Sequence, residues 1–216
     1  MKFILGLGLA IAIAAPAMAG NIVHDSVADF SNITENQGLT GDGVTAVDAN
    51  RSVLTNIFDG DLSSIYSLGI GGSLAFTIDP TDYSITSGSV IELTNVGSGH
   101  LEQATLYLGV DGGDWVEIGT LFNSQTGGTA TSADPSVALL DAIVSGANTS
   151  YTLTVLDGAF NSLKLVDNSA GLNGPGSIYD GFDVAELKIT SVPEPASLAL
   201  LGAGLLGLGL ARRRAA

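Results

Sequence analysis

In the segment Asn56-Ile57-Phe58-Asp59-Gly60-Asp61-Leu62-Ser63-Ser64, Asp59, Asp61 and Ser64 crowd two carboxylates and a hydroxyl into one tight turn. Calcium and similar hard cations take about six to eight oxygen ligands from carboxylates, hydroxyls and carbonyls. The turn is therefore a candidate cation site. It equally suits a solvated acidic turn, because the complete loop of a calcium hand is absent. A second set of side chains, Tyr66, Trp115 and Tyr179 with His100, could offer faces or hydrogen bonds to a sugar. Trp115 directly follows a turn and also fits packing at the rim of a core.

Other chemistries find little footing. A hydrolytic triad needs a histidine base oriented by a carboxylate. The histidines are His24, near the start of the mature chain, and His100, in a Gly-Ser-Gly-His turn, and neither adjoins a nucleophile motif. Without helical spacing, two histidines make a poor zinc site. A carboxylate pair can cleave glycosides, but no spacing singles one out. There is no cysteine, which removes disulfide and thiolate chemistry. Both methionines, Met1 and Met18, fall in the first 19 residues, so the remainder carries no sulfur.

The elements that must position these residues are read from the pattern between Gly20 and Ser191. Gly, Ser, Thr, Asn and Asp surround short alternating apolar runs, which predicts strands and turns. Strands are expected at 73–79, 89–94, 103–110, 115–121, 151–155, 162–166 and 182–189. The turn Asp111-Gly112-Gly113-Asp114 should pair its flanking strands antiparallel. Asp134-Pro135-Ser136 ahead of Val137, Leu140, Ile143 and Val144 reads as an N-cap, a first-turn proline and the apolar face of a short helix. Several short strands with polar turns suggest an antiparallel β-sandwich. The loop from Asp167 to Asp180, followed by Asp183, is the longest Gly- and Asn-rich connection, and such loops are where binding residues gather.

Both ends of the chain read as export signals. Residues 1–19 hold Lys2, an apolar run from Phe3 to Ala15, Pro16 and then Ala17-Met18-Ala19, the small-residue pattern before signal-peptide cleavage, so the mature chain should begin at Gly20. The alternative, an N-terminal membrane anchor, is disfavoured because the run falls short of the roughly 20 residues that span a bilayer. Between the ends, three basic residues (Arg51, Lys164 and Lys188) face 21 acidic ones, a net charge of about −18. That balance opposes binding to nucleic acid or anionic lipid, which needs clustered Lys and Arg.

At the C-terminus, Val192-Pro193-Glu194-Pro195 leads into an apolar segment over 196–211 and then Arg212-Arg213-Arg214. The prolines enforce an extended ribbon suited to a protease, the apolar helix enters the inner membrane, and the arginines hold its end on the cytoplasmic side. This order resembles the PEP-CTERM sorting signal over residues 192–216. The resemblance implies an exosortase-like integral-membrane protease as processing partner, in bacteria that make extracellular polysaccharide, with transient inner-membrane anchoring before release to the cell surface or biofilm matrix. A plain single-span tail anchor is the alternative.

A second resemblance covers about 50–190. The pieces at 56–64, Gly72-Ser-Leu-Ala-Phe76, 104–119, 161–167 and Asp180-Gly-Phe-Asp-Val-Ala-Glu186 run in the order of a galactose-binding-like jelly roll, similar to discoidin-type and carbohydrate-binding modules. The resemblance implies a structural calcium at Asp59, Asp61 and Ser64, with Glu186 of the last strand completing the shell. It also implies a non-catalytic domain associated with extracellular polysaccharide. A purely structural matrix protein and a surface glycan hydrolase are the rival readings.

Overall fold

The computed structural model describes residues 21–79, 83–93, 100–124, 127–145, 148–173 and 179–193. The signal segment with Ala17, Ala19 and Gly20, the Glu194-Pro195 half of the processing motif, the 196–211 helix and the arginine tail lie outside the described residues.

Among the described residues, twelve strands form two antiparallel sheets. In chain order they are β1 (Ile22–His24), β2 (Phe30–Asn36), β3 (Tyr66–Ser67), β4 (Ser73–Ile78), β5 (Tyr83–Leu93), β6 (Glu102–Val110), β7 (Gly113–Ser124), β8 (Gly127–Ser132), β9 (Val137–Ser145), β10 (Asn148–Val155), β11 (Ser162–Asp167) and β12 (Asp183–Pro193). The first sheet runs β1-β12-β5-β10-β9, with β3 also paired to β12, and the second runs β2-β4-β11-β6-β7-β8. Among the described residues the helical elements are short 3-10 turns, and no helix is long and apolar enough to cross a membrane.

Alternation along each strand builds the core. In β11, Leu163 and Leu165 are fully buried while Lys164 between them is half-exposed. The inward phase of the second sheet supplies Leu74, Phe76, Ile78, Leu106, Leu108, Ile118 and Leu121, and that of the first supplies Ile85, Val90, Tyr151, Leu153, Val184, Leu187 and Ile189. The two inner faces form one apolar layer, the usual sandwich solution to burying one side of each sheet. At one margin the edge strands β8 and β9 meet, where the Ala130 amide donates to Asp141 Oδ1 at 3.1 Å.

The segment read as a helix is a strand. Asp134 Oδ1 accepts from the Ser136 amide at 2.7 Å, and the Val137 amide donates to the Asp134 carbonyl at 3.2 Å, so the N-cap chemistry closes a single turn. The chain then extends as β9, paired with β10 from Val137↔Val155 onward. Leu140, placed on the buried face of the expected helix, is 66% exposed. Pairing partners override the local helical spacing here.

The expected hairpin is present. Asp111 and Gly112 have φ of 50° and 72°, the doubly positive pair of a tight two-residue turn, and Val110 pairs with Gly113. Gly112→Ala should cost about 1–2 kcal/mol through the left-handed penalty, lowering the thermal midpoint. Gly113→Ala, beside it but without positive φ or close neighbours, should leave the midpoint nearly unchanged.

Candidate functional site

The oxygen-rich turn follows the 3-10 segment Leu54–Phe58. Its oxygens are largely engaged with one another. Asp59 Oδ1 accepts from the Asp61 amide at 2.8 Å, and Asp61 Oδ1 accepts from the Ser63 amide at 2.9 Å and the Ser63 hydroxyl at 2.7 Å. The Ser63 bonds hold the Asp61 carboxyl below its ordinary pKa. Asp59 and Gly60 line a cavity of about 180 Å³ together with Asp25, Glu186 and Lys188. Two of the four expected calcium ligands, Asp59 and Glu186, thus meet, while Asp61 and Ser64 do not line that cavity. Glu186 Oε2 accepts from Lys188 Nζ at 2.8 Å. With the side chains as they stand, no three or more His, Asp or Glu among the described residues form a metal-binding group.

A buried acidic cluster lies where the long loop meets the sandwich. Glu102 shares the inward phase of β6 with Ala104, Leu106 and Leu108, and Glu92 shares that of β5 with Val90; Asp183 opens β12. Glu92 and Asp183 are 0% exposed, Glu102 2% and Asp180 7%. Arg51 reaches in from the 3-10 turn Ala49–Arg51, bonding Asp180 Oδ2 at 2.6 Å through Nη1 and Asp183 Oδ2 through Nη2. The Asn123 side-chain amide donates to Glu92 Oε1. Glu102 Oε2, Asp183 Oδ1 and Asn148 Oδ1 are buried without hydrogen-bond partners.

One guanidinium cannot neutralise four carboxylates in such a place. Burial pushes the Asp183 carboxyl up to about 7 against the opposing pull of Arg51, and burial with the charges of Asp183 and Glu92 pushes Glu102 well above the carboxylate range. Asp180 is raised for the same first reason. The residues are scattered through the chain at positions 51, 92, 102, 180 and 183, so no local pattern joins them. The available signal was an acidic residue standing in an inward, apolar phase, as Glu102 does.

The residues expected to meet a sugar are dispersed. Tyr66 is 1% exposed and part of the core, with its phenol pKa raised by burial and by Glu35; Tyr179 is 5% exposed and touches the His100 ring at 5.9 Å between centroids. Neither presents a free face. Trp115 instead belongs to a row on the outer side of the second sheet. Lys164 Nζ stands 4.5 Å from its ring centre and 4.7 Å from that of Tyr107, which pairs with Lys164 across β6 and β11. The other histidine, His24, has its Nε2 2.7 Å from Ser191 Oγ, joining β1 to β12. Both are buried, at 2% and 0% exposed, so this His-Ser pair is closed to substrate.

The described fold is an antiparallel β-sandwich, and in the sequence β12 is followed directly by the rest of the Pro-Glu-Pro motif. Residues 191–214 match the PEP-CTERM protein-sorting motif, and the match begins at Ser191, inside β12. No curated protein matches the chain. Among solved structures, a truncated AlyQ with CBM32 and alginate lyase domains is similar at 15% identity and a TM-score of 0.45, over 82% of this chain and 35% of that one. The chain thus spans about a third of that protein's length. The C-terminal domain of a chitobiase from Bacteroides fragilis is similar at 13% identity and a TM-score of 0.42, over 79% of this chain and 98% of that one.

An unfolded carboxyl titrates near 4, whereas Asp183 and Glu102 hold their protons to higher pH when folded, so the folded state binds more protons in the window from about 4 to 7 and above. Their contribution to stability must therefore decline as pH rises through that window. Glu102→Gln should be more stable than the parent at pH about 8, because the amide has no proton to lose and no charge for burial to oppose. Thermal midpoints measured against pH should show the difference shrinking toward pH about 5, where the parent carboxyl is protonated.

Proposed function

We propose that this protein is exported, held transiently in the inner membrane by its C-terminal segment, and freed by an exosortase-like protease to the cell surface or extracellular matrix, where the sandwich associates with polysaccharide without catalysis. The observation that carries the sorting part is the PEP-CTERM match at 191–214. Because that match starts within β12, the cargo being sorted is the sandwich itself. A polysaccharide role outside the cell is supported by the partly exposed aromatic row of Tyr107 and Trp115 on one sheet and by a charge of about −18, which turns the domain away from nucleic acid and anionic lipid. The hydrolase reading gains nothing from the buried His24-Ser191 pair.

Replacing Glu194 and Pro195 with alanine leaves Pro193 in its place opposite Tyr83 and so spares β12. The altered protein should cross the inner membrane normally and accumulate there, as read by fractionation and immunoblotting. Equal release to the outside by parent and variant would remove the motif from sorting.

A structural calcium at Asp59 and Glu186 belongs to the same proposal, with the ion displacing Lys188 from Glu186. Free calcium about 100-fold above its dissociation constant should then stabilise by roughly 2.7 kcal/mol. The matching rise in thermal midpoint should disappear in Glu186→Gln. A rise of the same size with magnesium at matched ionic strength would mark diffuse screening instead.

A further inference from the structure

The three basic side chains between the two terminal signals are not equivalent. Arg51 is paired with Asp180 and Asp183, and Lys188 with Glu186. Among the described residues Lys164 has no carboxylate partner, although acidic residues outnumber basic ones seven to one between the two ends of the sequence. Its ammonium is instead flanked by the rings of Tyr107 and Trp115.

The sheet builds this arrangement from its outward phase. Lys164 lies between inward Leu163 and Leu165, opposite Ala75 on β4 and Tyr107 on β6. Ala75 is too short to cover the lysine from its side. On the other side, Gly109 lets the indole lie against the strand backbone, since a Cβ there would stand 2.7 Å from Trp115 Cε3. All three side chains are half-exposed. Burial lowers the Lys164 pKa, as expected of an ammonium compensated by rings rather than by a carboxylate.

We propose that Tyr107, Lys164 and Trp115 form a glycan subsite that takes a sugar bearing a carboxylate, the acid bonding the Lys164 ammonium and the sugar's C–H face lying on an aromatic ring. The inference rests on the polysaccharide reading above and gives that reading a site and a ligand class. Partial immobilisation of the lysine by the rings reduces what is lost when the acid binds, and a charge-assisted bond outweighs the cation–π contact it rearranges. Glu117, paired with Tyr107 on β7, and the negative field of the whole domain repel a densely charged polymer. The ligand is therefore a mostly neutral chain with spaced uronates, not a polyuronate.

Affinity electrophoresis of the full exported protein through gellan, a chain with a single glucuronate in each repeat, through carboxyl-reduced gellan, and through the extracellular polysaccharide of the producing cells tests this. Gellan should retard the parent, and carboxyl reduction should weaken retardation at least about tenfold. Lys164→Gln and Trp115→Ala should each lose about tenfold or more, Lys164→Arg should retain binding, and Lys188→Gln should match the parent, with thermal midpoints confirming folding. Retardation that survives both Lys164→Gln and carboxyl reduction overturns this subsite and leaves the polysaccharide reading standing. Absence of retardation by all three polymers overturns both. If Lys164→Gln fails to fold, loss of gellan binding in Trp115→Ala and its retention in Lys164→Arg decide in favour, and binding by Trp115→Ala equal to the parent decides against.

Discussion

β12 is hydrogen-bonded along both edges, and most of the molecule is arranged around that fact. β5 takes one edge from Val184 to Pro193, while β3 takes Asp183 and Val184 and β1 takes Ile189 to Ser191 on the other. A strand held in this way cannot shift register without breaking several ladders and turning its side chains to the wrong face. Its first residue, Asp183, is thereby fixed against Arg51, and its last residues are fixed beside His24 and Tyr83. The sorting motif starts in those last residues, so Val192 and Pro193 belong to both the sheet and the signal.

The same pleat that places leucines inward also carries Glu92 and Glu102 inward at the loop end. Burying a charge is unfavourable unless it is paired or neutralised. Arg51 pairs two of the four carboxylates, the Asn123 amide donates to Glu92, and burial raises the Glu102 pKa so that this carboxyl keeps its proton to higher pH. The cluster therefore trades stability at neutral pH for a fixed polar contact between Arg51 and the start of β12. Asp167 strengthens that end from the opposite sheet, accepting from the amides of Gly71, Ser169 and Phe182.

On the outer side of the second sheet, the opposite phase of the strands does different work. Positions there need only tolerate water, which leaves Lys164 free to sit between two rings instead of against a carboxylate. Inner and outer phases of one short strand, Ser162–Asp167, thus serve the core and the candidate glycan surface at once.

Much of this was legible in the residues. Alternation located strands within β4, β5, β6, β7, β10, β11 and β12, because an amphipathic strand announces its buried face by a period of two. The Asp111-Gly112 turn announced its hairpin, since few residues accept positive φ. The Pro-Glu-Pro motif, apolar segment and arginines are likewise local signals, and they identified the sorting end without any fold. β1, β2, β3 and β8 were not evident, being short or polar edge strands whose partners lie far along the chain. β9 was misread because an Asp-Pro-Ser cap is the same chemistry at the head of a helix or of a single turn. Only long-range pairing decided between them. For the same reason the sequence offered Tyr66 and Tyr179 as sugar faces, whereas packing buried both. It gave no hint that Arg51 would meet Asp183 or that Lys164 would stand between Tyr107 and Trp115: periodicity assigns a residue to a face, but only the order and register of strands determine which faces meet.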